Sequence, residues 1–135
     1  MTPVLYILMR TDLCSMNPGK AMAQASHASN AFVHSVESGY NVDEKLFKEW
    51  HQSTTQGFGT VLVLGVNEAQ MRTAVDVAFN CGVDKFPCDI IHDPTYPLQD
   101  GDTTHFIPVD TCGYIFGDKD NVLLQSILGN FELHH

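Results

Sequence analysis

Val4-Leu5-Tyr6-Ile7-Leu8-Met9 is an unbroken apolar run of strand-forming residues, and no other feature constrains the chain as tightly. A strand with one wet face alternates apolar and polar residues, whereas an uninterrupted run fits a strand covered on both faces. Helices above and below a sheet provide that cover, so the run implies an α/β three-layer sandwich with this strand near its centre. The following segment supplies the first cover. Asn17 is placed to N-cap a helix, Pro18 stands at its first position, where a missing N–H costs nothing, and the pattern predicts a helix over 18–38. Ala21, Ala23, Ala25, Ala28 and Ala31 permit close approach to a sheet, Met22, Phe32, Val33 and Val36 add apolar bulk, and Gly39 ends the helix.

The remaining pattern alternates in the same way. Residues 43–52 predict a short amphipathic helix anchored by Trp50, and residues 58–66 a second strand. Asn67 then caps a helix with the stripe Met71, Val75, Ala78 and Phe79, stopped at Gly82. A third strand is expected over 86–92, a polar loop over 94–105, a fourth strand over 106–116, a final helix over 118–128 and an extended tail over 129–133. No helix separates the third and fourth strands, so one antiparallel strand is expected in a mixed sheet of about four. At 135 residues the chain is sized for a single domain, 1–135.

Composition excludes several classes. No apolar run approaches the roughly 20 residues that span a bilayer, and Met1-Thr2-Pro3 leads into a strand with no basic n-region, which points to a cytoplasmic protein without membrane attachment. Cys14, Cys81, Cys88 and Cys112 show no CxxC spacing and read as reduced thiols, and the seven histidines form no zinc pattern, so neither metal nor cofactor is expected. A net charge of −9 opposes broad nucleic-acid binding, because neutralising phosphates takes converging cations.

The end of the first strand is where chemistry is expected, since helix N-termini there aim unsatisfied N–H groups at ligands. Lys20, Gln24 and His27 share one stripe of the long helix, beginning at that end. By spacing alone these are equally solvated polar residues. Asp93, preceding Pro94, is equally a turn residue. Cys14 with His27 forms a conceivable nucleophilic pair, and His92 and His105 are conceivable bases flanking the polar loop.

Met9-Arg10-Thr11-Asp12-Leu13, Met16, Gly19-Lys20, Ala23-Gln24 and Ser26-His27-Ala28 together resemble the signature of the type 2 peptidyl-tRNA hydrolases. The similarity continues through Leu46 to Trp50, Val61 to Leu64, Cys81-Gly82, Ile91-His92-Asp93, Thr111 to Gly117 and Gly129 to Leu133. It implies that fold and hydrolysis of the ester between peptide and tRNA, with Lys20, Asp93, Thr111 and Thr95 in the chemistry and Arg10, Gln24 and His27 binding substrate. The substrate would be gripped through its acceptor end, and a homodimer is compatible with the resemblance. One departure is plain: the family follows its aspartate with a small-Gly-Arg-Thr run, whereas here Pro94-Thr95-Tyr96-Pro97 follows Asp93. The missing arginine keeps two other readings open, a binding module that retains the fold and an esterase or amidase acting on acyl substrates without RNA.

Overall fold

The computed structural model describes residues 1–39, 43–81 and 86–135. Gly82, the expected helix stop, and Lys85 lie outside the described residues. Strand β1 (Pro3–Arg10) is followed by α1 (Pro18–Glu37), α2 (Glu44–His51), β2 (Val61–Val66), α3 (Glu68–Asn80), β3 (Cys88–Asp100), β4 (Thr103–Asp118), α4 (Val122–Leu128) and β5 (Glu132–Leu133). Among these residues the sheet order is β3-β4-β1-β2-β5, with β1 in the middle.

β1 explains why both faces are covered. Val4, Tyr6 and Leu8 pack with Met71, Ala74, Val75 and Ala78 of α3 and with Leu124 and Leu128 of α4. Leu5, Ile7 and Met9 point the other way, into Ala28 and Phe32 of α1 and Leu46 and Trp50 of α2. The period of two thus feeds two cores from one strand. Trp50 is fully buried, and its indole N–H donates to the carbonyl of Thr60 at 2.8 Å, which locks α2 beside β2.

The caps expected at Asn17 and Asn67 form, whereas the last helix, expected from 118, begins at Val122 because its cap is Asn121. Asn17, Asp43, Asn67 and Asn121 each accept a backbone N–H with the side chain, and Asn67 forms a full capping box with Gln70. Other expectations need correction. β2 begins at Val61, because Phe58 stays half exposed and Gly59 is pressed against Trp50. Phe79 is exposed, and Ala74 takes its place on the buried stripe of α3. The tail pairs with β2 as a fifth strand, and both β4 and β5 run antiparallel to their neighbours, so two strands are antiparallel where one was expected.

The largest correction is the polar loop over 94–105, which is a β-hairpin. β3 and β4 pair from Cys88 and Ile115 out to Asp100 and Thr103, interrupted by two irregularities, and a two-residue turn joins them. Gly101 has φ +59, a conformation that favours glycine, and Asp102 does not, which is the pattern of a type II′ turn. The prolines that argued for a loop fit because β3 is an edge strand, where Pro94 and Pro97 remove no ladder bond needed on the outer side. Among the described residues no helix is long and apolar enough to cross a membrane.

Candidate active site

Two irregularities in the β3–β4 ladder build the site. Ile91 faces Cys112 while His92 faces Asp110, so Thr111 is an extra residue on β4. Asp93 faces Val109 while Tyr96 faces Ile107, so Pro94 and Thr95 on β3 oppose Pro108 alone. Such bulges re-aim side chains that strict alternation would send to opposite faces. Accordingly Thr111 and Cys112, though consecutive, both reach Gln24 of α1: Thr111 Oγ1 donates to Gln24 Oε1 at 2.7 Å, and Cys112 Sγ lies 3.6 Å from the Gln24 carbonyl. On the opposite strand the extra residue brings Asp93 and Tyr96, three apart, to the α1 side.

Gln24 is the link between them. Its Nε2 donates to Asp93 Oδ2 at 2.7 Å, and Asp93 Oδ1 accepts the Thr95 backbone N–H at 2.9 Å and the Thr95 hydroxyl at 3.3 Å. His27, one turn further along α1, holds Nε2 4.0 Å from Asp93 Oδ2. Gln24, Asp93 and Thr111 are the buried polar side chains of the described residues, and among those residues no buried side-chain polar atom lacks a partner. Burial alone would raise the Asp93 pKa, but the bonds from Gln24 and Thr95 and the charge of His27 outweigh it and hold the carboxyl below the ordinary aspartate range. It is therefore an ionised, rigidly oriented carboxylate. Oδ2 carries a single short bond and keeps a lone pair for a water or a protonated neighbour.

Lys20 lies in the first turn of α1, whose end is capped by Asn17 Oδ1 accepting the Lys20 backbone N–H at 2.9 Å. Its Nζ sits 5.2 Å from the centre of the Tyr96 ring. None of the ion pairs among the described residues includes Lys20.

Other candidates go elsewhere. Arg10 is turned into an acidic network, with Nε 2.9 Å from Asp12, Nη1 3.3 Å from Glu68 and 3.0 Å from the Asp110 carbonyl. Arg72 joins it through Glu68 and Asp110, and the guanidinium beside Asp110 holds that carboxyl below its ordinary range. His92 Nδ1 lies 2.7 Å from Asp110, and His105 pairs with Asp100 near the hairpin tip. Cys14 is exposed, while burial pushes the Cys112 thiol up to about 12 and leaves it inert at neutral pH.

A family model described as peptidyl-tRNA hydrolase PTH2 matches residues 3–133 and so spans every residue of this site. The chain belongs to the PTH2 family. No curated protein matches the chain. The family is one of peptidyl-tRNA hydrolases, and the mixed sheet with helices on both faces agrees with its fold.

Within this PTH2 chain the Gln24 amide lies between Thr111 and Asp93, so Thr111 anchors Gln24 and Gln24 in turn aims the carboxylate. We expect Thr111→Val, which keeps shape, to leave Gln24 Oε1 without its donor and lower stability by about 1–3 kcal/mol. Turnover should fall severalfold with KM unchanged, read by urea unfolding and steady-state kinetics. Intact turnover would remove Thr111 from the relay. Sequence reasoning missed Tyr96 altogether. Its only signal was an aromatic residue between two prolines in a polar stretch, and without the bulge its parity puts it on the wrong face.

Proposed function

We propose that this chain hydrolyses the ester bond between a peptide and tRNA in the cytoplasm, acting as a single unit over 1–135 without a cofactor. The observation that carries this reading is the Asp93 carboxylate, 7% exposed and fixed by Gln24 and Thr95 on the same side of the sheet as Lys20. Attack of water on an ester needs an oriented water, a proton acceptor and positive charge near the developing oxyanion. Asp93 orients the water through Oδ2, His27 lies within reach to share its proton, and Lys20 supplies the positive charge. Multiple-turnover release of free tRNA from labelled peptidyl-tRNA tests the proposal. Release no greater than one equivalent per protein would sink it.

A second reading, a non-catalytic binding module, is favoured by one observation: Arg10 and Arg72 are both held by carboxylates and are not available to phosphates. An esterase or amidase on RNA-free acyl substrates has no such observation behind it. The same ion pairing shapes tRNA affinity. With a net charge of −9 and few cations to spare, we expect recognition confined to the acceptor end. Each neutralised phosphate adds about 0.7 to 0.9 to the log–log salt slope, so a slope worth roughly one to three contacts is expected. A titration series across salt showing six or more would contradict a local grip.

A further inference from the structure

Resting on the hydrolase reading, we propose that Tyr96 is a positioning residue for Lys20, its ring fixing where the ammonium stands relative to the Asp93 carboxylate. Three observations support it. Lys20 Nζ lies 5.2 Å from the ring centre, within the range at which a cation is drawn to an aromatic face, and no carboxylate among the described residues pairs with it. A lysine on a flexible stem with no ion partner needs something to define its position. Tyr96 can do so because it is itself immobile: 1% exposed, with its hydroxyl 3.1 Å from Ser15 Oγ and 3.9 Å from Met16 Sδ. Finally, Tyr96 and Asp93 flank the same bulge on β3, so one piece of backbone carries both the anion and the seat of the cation. Their spacing is then set by the ladder, and Ser15 and Met16 of the loop over 11–17 hold the ring by its hydroxyl.

A ring that only fills space would serve as well whatever its electron density. The test therefore holds size nearly constant and changes the face potential: Tyr96→Phe, then mono-, di- and trifluorophenylalanine at the same position, assayed on labelled peptidyl-tRNA. We expect Tyr96→Phe to retain turnover within about threefold and each added fluorine to lower kcat/KM, reaching about tenfold at three, as a cation–π contact of that strength weakens. A flat series in folded variants would overturn the proposal. Independently of turnover, the Lys20 side-chain methylene protons, assigned by their loss in Lys20→Ala, should resonate upfield of the other lysines and move back in Tyr96→Leu. Absence of that ring-current shift would also overturn it. A wild-type chain that shows the shift but cleaves no peptidyl-tRNA would defeat the hydrolase reading while leaving the seat in place.

Discussion

Asp93→Asn is expected to lower the rate of peptidyl-tRNA cleavage by about two to three orders of magnitude, the scale of losing a positioned proton acceptor, while tRNA affinity changes less than threefold. The structure explains why the fold should survive. Both carboxylate oxygens of Asp93 accept, Oδ2 from Gln24 and Oδ1 from Thr95, so an amide places its NH2 against a donor whichever way it turns. The Thr95 backbone N–H cannot rearrange, which directs the new amide oxygen toward it and the NH2 toward Gln24. Gln24 can answer by flipping its own amide, because its other contact is the Thr111 hydroxyl, which donates now and can accept instead. The relay thus absorbs the substitution, and the charge is what is lost. Kinetics at saturating and limiting substrate, with tRNA binding measured alongside, check this. Equal losses in rate and in binding would assign Asp93 to substrate holding rather than to the water.

The pH profile follows from the same bonds. Since they hold the Asp93 pKa below the ordinary value of 3.8, the carboxylate stays charged throughout the neutral and mildly acid range. Its contribution to stability is fully present above the ordinary value and is lost as pH falls through the lowered folded one. Any loss of rate between neutral and mildly acid pH must then come from a group other than Asp93.

The sequence made the layers legible because burial on two faces leaves a direct mark, the unbroken run of β1, and because α1 and α3 carry their caps in the side chains Asn17 and Asn67, whereas the last helix, expected from 118, starts at Val122 behind Asn121. It was silent where the geometry depends on pairing. Nothing local distinguishes Pro94 and Pro97 in a loop from the same prolines on an edge strand, since the outer N–H positions have no partner in either case. Bulges are equally invisible, for an extra residue shows only against the opposite strand. For that reason Lys20, Gln24 and Asp93 could be named from motif and helix spacing, whereas the joining of Thr111 to Gln24 and the arrival of Tyr96 under Lys20 required the register of β3 on β4. Arg10 illustrates the converse. A cation at the end of the central strand invites a phosphate, but Asp12, Glu68 and Asp110 converge on it from β1's own loop, α3 and β4.

Lys20→Ala should lower cleavage at least tenfold, about 1.4 kcal/mol of transition-state stabilisation, with unfolding free energy changed by no more than about 0.5–1 kcal/mol. Stability is spared because the cap of α1 uses the Lys20 backbone N–H, which alanine retains, and because alanine suits a first helical turn. The way the loss divides identifies what the ammonium does. If Lys20 holds a phosphate of the acceptor end, KM rises, kcat is preserved, and the log–log salt slope of binding drops by about 0.7 to 0.9, the equivalent of one contact. If it faces the oxyanion, kcat and kcat/KM fall together and the salt slope does not move, because the interaction exists only in the transition state. Its place over Tyr96, on the same side of the sheet as the pinned carboxylate, favours the second pattern: a cation fixed by an aromatic seat is held for a short-range contact, where a phosphate could be met by a freely moving side chain. Turnover within twofold of wild type in Lys20→Ala would remove the ammonium from the mechanism and leave Asp93 and His27 as the groups acting on water.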